Sequence, residues 1–244
     1  MVYIGSWIQA KIKSNPKRIR SSKTWSFRGK QNNMKWKITI GVVVTVLAVL
    51  VFIGYNKHAT PLTLPPEQQA IVDSLVPKAT KLQPINTKVK VDTANLVNLI
   101  NAAEIAGLNN FEFNGSSKIL LESATALQVE LDSLLSFLNE SRAVMAGGQM
   151  QSVWDTAIEV FNFRNGHNQK LIEMARIGAT LDFDNDVALE KFTNVATELE
   201  TIELRLPEME NKFITALAEL DPGTGKQAER QLQKQKSETS QLLD

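Results

Sequence analysis

"ALEKFTNVATELETIELRLPEMENKFITALAEL", residues 188–220, carries apolar side chains at Ala188, Phe192, Val195, Leu199, Ile202, Leu206, Met209, Phe213, Ala216 and Leu220. The steps alternate between four and three residues, the spacing that lines up one stripe along one face of a helix. Ten positions in unbroken phase point to a helix of coiled-coil type. Pro207 lies inside it and removes a backbone donor. Because the phase continues across Pro207, a kink near Glu203–Pro207 is expected rather than two unrelated helices.

The same spacing recurs upstream at Leu120, Ala124, Leu127, Leu131, Leu134, Leu138 and Met145, with Ser141 as a polar step. Two weaker helices join these. Residues 88–106 align Val89, Leu96, Ile100 and Ala103, and residues 149–178 align Met150, Trp154, Ala157, Phe161, Leu171 and Ala175, with Gly166 as a candidate interruption. Breaks are expected at "GLNNFEFNGSS" (107–117), "AGG" (146–148) and "GATLDFDND" (178–186), the last supplying Asp and Asn helix caps. Leu121, Leu135, Phe137, Leu204, Ile214 and Leu217 make the apolar faces too wide for a two-stranded seam. Such helices bury themselves in an antiparallel bundle of about four. No stretch alternates with period two, so the fold expected is all-α.

Toward the N-terminus the chemistry changes. Residues 1–66 hold eleven Lys and Arg and no acid, whereas residues 67–244 hold sixteen against twenty-six acids. A charge split of this kind places the two ends in different environments. Between Lys37 and Lys57 run nineteen uncharged residues, Ile38 to Asn56, rich in Val, Ile and Leu. As a helix they would span roughly 28 Å, close to a bilayer core. Trp36 and Tyr55 bracket the run as interfacial aromatics do. Ten of the cations precede it, so the positive-inside rule puts the N-terminus in the cytoplasm and the bundle outside. No small-residue pair suits a signal peptidase, which makes the run a retained signal-anchor. The expected location is a bacterial inner membrane, single-pass, with a periplasmic or extracellular bundle. "MKWK" at Met34 is an alternative start that would leave residues 1–33 untranslated.

The expected organisation is therefore a basic cytoplasmic segment (1–37), a single N-terminal transmembrane helix (38–56), a Pro-rich linker (57–86), an elongated antiparallel helical bundle with coiled-coil character (87–221) and a polar tail (222–244). Five of the eight prolines fall between Pro61 and Pro84, which argues for an extended, stiff connector with one short helix at most near Glu67–Val76. The tail, "DPGTGKQAERQLQKQKSETSQLLD", has little to bury and reads as exposed helix or disordered chain.

Catalytic groupings are scarce. There is no cysteine, which excludes disulfides, thiolate metal sites and cysteine nucleophiles, and His58 and His167 are the only histidines. "PGTGKQ" lacks the glycine and the hydroxyl residue of a phosphate-binding loop, having Leu220 and Gln227 in those places. "DFDND" spaces Asp182, Asp184 and Asp186 as a calcium loop does, but Val187 and Thr193 stand where glycine and a carboxylate are required. Helix capping accounts for that cluster. No enzyme activity, cofactor or metal is expected, and the basic N-terminal segment has no groove-reading element, so nucleic acid is not an expected partner. The expected partners are the membrane and a protein, or a second copy, met through helix faces such as 187–220. The alternative is a small ligand held between helices, for which "FNFRNGHNQ" and its surroundings offer Trp154, Phe161, Arg164 and His167 as lining. The simpler expectation for that stretch is a polar kink at Gly166 on a partly exposed face.

Overall fold

The computed structural model describes residues 64–106, 110–223, 225–226, 228–230 and 232–233. The basic segment, the apolar run 38–56 and the start of the Pro-rich stretch lie outside the described residues. Five helices follow in order: α1 (Pro66–Ala106), α2 (Asn110–Met145), α3 (Gln151–Gly178), α4 (Asp186–Glu203) and α5 (Leu206–Leu220). Among the described residues there is no strand, and no helix is long and apolar enough to cross a membrane. The all-α expectation holds.

Cross-helix contacts define the topology. Gln68 of α1 meets Val144 of α2, and Lys81 meets Glu130, so partner numbers fall as residue numbers rise. The same reversal links α2 to α3 through Trp154 with Leu138 and Asn168 with Ala124. It links α3 to α4 and α5 through Lys170 with Glu198, His167 with Glu203, and Lys212 with Glu159. Successive helices are thus antiparallel. At about 1.5 Å per residue the 41 residues of α1 reach roughly 60 Å, which makes the bundle a long rod.

The 4–3 stripes face inward as expected. From Leu120 to Met145 every stripe position is buried, and so are Phe192, Val195, Leu199, Leu206, Met209, Phe213 and Ala216. Leu204 and Arg205 keep right-handed helical backbone between α4 and α5. The Leu204 N–H still donates to the Glu200 carbonyl at 3.1 Å, and the Arg205 N–H turns to Ile202 at 3.0 Å. Pro207 sits in the first turn of α5, where its missing donor costs nothing. The two helices therefore run along α3 as one kinked partner.

Three expectations are corrected. The first concerns the linker over 57–86, because from Pro66 onward the chain is continuous helix. Its stripe reads Gln68, Val72, Leu75, Ala79, Leu82, Asn86, Val89, Thr93, Leu96 and Ile100, all buried or half-buried. Pro77 and Pro84 are seven residues apart on the exposed face, where water can take the carbonyls left without a donor. Second, α2 begins at Asn110, so the break expected over 107–117 does not extend over 110–117. Phe113 and Ser117 extend the α2 stripe by two positions, and the Phe113 ring stands edge-on to Phe183 and Phe192 at 5.2 and 5.5 Å. Third, part of the tail is built into the core: Ala228 and Leu232 are buried, and a Cβ on Gly225 would lie 2.8 Å from the Ala218 Cα.

Two turns depend on glycine. Gly147, in the α2–α3 turn, has φ of +76°, and its N–H donates to Gln151 Oε1 at 2.8 Å. Gly178, at the end of α3, approaches α2 so closely that a Cβ would meet Ser117 Oγ at 2.5 Å and Ser117 Cβ at 3.1 Å. Gly178→Ala is expected to cost about 1–3 kcal/mol by overpacking. Ser117→Ala in the same chain removes the worst contact and should restore part of the loss, as read from the urea midpoint.

Candidate functional site

The residues of "FNFRNGHNQ" lie in the middle of α3, which runs unbroken through Gly166. Space beside Gly166 is open, so it serves no close approach, and the helix bears its propensity cost of about 1 kcal/mol. The kink expected here is absent. Gly166 does lie on a partly exposed face with Asn162, Asn165 and Gln169, but Arg164, His167 and Asn168 on the other side of the helix are buried. They form a polar layer that crosses the whole bundle.

Toward α2 the layer is neutral amides and one carboxylate. The Asn168 side-chain N–H2 donates to the Ala124 carbonyl and to Gln128 Oε1, both at 2.9 Å. Gln128 in turn donates to Asp132 at 2.9 Å and to Asn165 Oδ1. The Asn165 amide also donates to Asp132, at 2.9 Å.

Toward α4 and α5 the layer meets carboxylates. His167 Nε2 lies 3.3 Å from Glu203 Oε1. Arg164 Nη2 lies 3.8 Å from Glu210 Oε1, with both side chains at 2% exposure or less. Burial pushes the Arg164 guanidinium down to about 10, against the opposing pull of Glu210 and then Glu203. The sign follows from linkage. The unfolded chain holds this proton more tightly, so the penalty is present in full at neutral pH and is relieved only as pH rises above about 10. A depression of this size corresponds to about 3 kcal/mol.

The half-buried His167–Glu203 contact and the buried Arg164–Glu210 pair straddle the α4–α5 kink, with Glu203 just before it and Glu210 one turn after. Arg205, within the kink, stacks its guanidinium 5.5 Å from the Phe163 ring centroid. Farther out, Lys170 reaches Glu198 at 2.7 Å and Glu173 at 3.0 Å, and Lys212 reaches Glu159 at 2.8 Å. These carboxylates raise both lysines above their usual range, Lys170 through Glu198 first and Lys212 through Glu159.

The four residues expected to line a ligand site are all buried on α3, but they do not converge. Trp154 donates its indole N–H to the Leu138 carbonyl at 2.9 Å and packs toward the α2–α3 turn. There it borders a hollow of about 60 Å³ together with Arg142, Met145, Ala146, Gln151 and Asp155. Phe161 is fully buried in the apolar core. Only Arg164 and His167 act together, and both are matched by carboxylates of α4 and α5. In the sequence Glu203 and Glu210 look like the other carboxylates scattered along 198–210. Glu210 falls one residue after Met209 of the stripe, and three residues before Phe213, and this adjacency was the available signal.

A second hollow, of about 20 Å³, opens between α1 and α4, walled by Leu96, Val97, Phe192, Ala196 and Leu199 with Glu200 at its edge. Burial, and then Glu203, hold the Glu200 carboxyl above the usual range. Asn185 caps α4 by accepting from the Ala188 N–H at 3.1 Å, and Asp182 accepts from the Asp184 N–H at 3.0 Å, so two of the "DFDND" side chains are used in capping and turn. Among the described residues no three His, Asp or Glu side chains converge as a metal site. No family of known proteins, no characterised protein and no solved structure matches this chain.

Glu210→Ala leaves the Arg164 charge buried without its nearest carboxylate and is expected to cost about 3–5 kcal/mol. Arg164→Met with Glu210→Met removes both charges and is expected to exceed the parent by about 1–4 kcal/mol. Urea denaturation of the two variants distinguishes the costly single change from the stabilising pair.

Proposed function

We propose that this protein is a single-pass, membrane-anchored helical rod with a structural or protein-interaction role, held on the outer side of a bacterial inner membrane. The observation that carries the reading is the uncharged run 38–56 with ten cations before it and a helical bundle beginning at Pro66 close behind. The anchor, its orientation and the outer location rest on that sequence pattern.

The bundle supports interaction over the small-ligand alternative. Ligand pockets of drug-sized molecules measure about 300–1,000 Å³. The two hollows described here hold about 60 and 20 Å³. Arg164 and His167, the polar groups a ligand would need, already face Glu210 and Glu203. The surface meanwhile exposes large apolar side chains, with Phe111 at 84% and Val187 at 77%. The stripe of 187–220, offered above as a docking face, is turned into the bundle, so in the closed form a partner meets the outer faces instead.

Native mass spectrometry of the full chain, purified in mild detergent through a C-terminal tag, tests the reading. A chain that retains the apolar run and flies with a second copy or another protein supports it. A lone monomer cut after the run would sink it and favour the ligand-holding bundle.

A further inference from the structure

The α4–α5 pair is joined to the bundle differently from the other helices. Its principal backbone neighbour is α3, whereas α2 packs closely against both α1 and α3. On the side facing α1, the buried side chains of Leu96 and Val97 and of Phe192, Ala196 and Leu199 wall a hollow of about 20 Å³. One interface therefore holds most of α4 and α5 in place.

That interface is also where the charges are buried. Lys81–Glu130, between α1 and α2, and Arg142–Asp155, between α2 and α3, keep their cations 67% and 61% exposed. The α3 interface with α4 and α5 buries the Arg164–Glu210 pair. Buried charges lose their hydration, so separating this interface returns water to them, whereas separating an apolar interface returns nothing. The α2–α3 interface, by contrast, is closed by neutral bonds to backbone, Trp154 to Leu138 and Asn168 to Ala124.

We propose that α4 and α5 form one arm that opens from an α1–α2–α3 core as a cooperative unit, with the buried Arg164–Glu210 pair as the weak point of the interface. The hinge is the connector 179–185, where the backbone leaves helix between α3 and α4. The kink at Leu204–Arg205 does not divide the arm, because His167–Glu203 lies before it, Arg164–Glu210 lies after it, and both reach α3. Opening exposes the stripe of Phe192, Leu199, Met209 and Phe213, which the closed bundle buries.

Hydrogen exchange read by mass spectrometry on the full chain in detergent tests this. Peptides within 189–203 and 208–220 are expected to exchange at one shared rate, at least tenfold faster than peptides within 120–138 and 153–175. Arm peptides as slow as those of α2 and α3, or α4 and α5 peptides at two distinct rates, would overturn the proposal. Arg164→Met with Glu210→Met should slow exchange in the arm about tenfold or more and leave 120–138 unchanged. Equal slowing in both regions, or none in the arm, would overturn the role given to the buried pair.

Discussion

Each helix of this protein carries side chains spaced four and three residues apart that water does not accommodate, and none can bury that stripe alone. Everything else follows from satisfying four such stripes at once. Short connectors force antiparallel neighbours, the antiparallel arrangement brings each stripe against the next, and the lengths of the helices make the product a rod. The constraint tolerates local damage. Pro207 breaks the hydrogen-bond ladder of the last stripe, yet Leu206 and Met209 stay buried because the backbone at Leu204 and Arg205 remains helical and the phase is kept.

α3 is the member that must serve two partners, and its composition reflects this. Trp154 and Asn168 reach α2, and Arg164 and His167 reach α4 and α5. A wholly apolar α3 would pack as well in either rotational setting. A layer in which Asn168 finds the Ala124 carbonyl and Arg164 finds Glu210 is satisfied in one setting, and sliding α4–α5 by a turn would leave charge buried against nothing. Polar layers that select register at some cost in stability are known from coiled coils. The depressed Arg164 is the measure of that cost here.

Much of the fold was legible because periodicity is a local property. The stripes at 120–145 and 188–220 need only their own spacing to be seen, and so does the Asn185 cap of α4. What misled were residues whose meaning depends on which face they occupy. Pro77 and Pro84 suggested an extended linker, but both fall on the exposed side of α1, where a missing donor is harmless. Gln68, Asn86 and Thr93 hid the α1 stripe because polar side chains at buried positions look like breaks until their partners are known, as Gln68 shows by donating to the Val144 carbonyl at 3.1 Å. Arg164 and His167 could not be placed from the sequence, because the carboxylates that answer them stand some forty residues away.

By itself the sequence determined the helical class, the phase of each strong stripe, the kink at Pro207 and the charge asymmetry around the run 38–56. These depend on spacing, dihedral preference and transfer from water, all of which act within one element. Only the tertiary structure decided that the Pro-rich stretch becomes the longest helix, that Ala228 and Leu232 of the polar tail enter the core, and that Arg164 and His167 are sealed against Glu210 and Glu203. Those outcomes depend on which faces meet, and burial is a property of a pair of surfaces, not of either one alone.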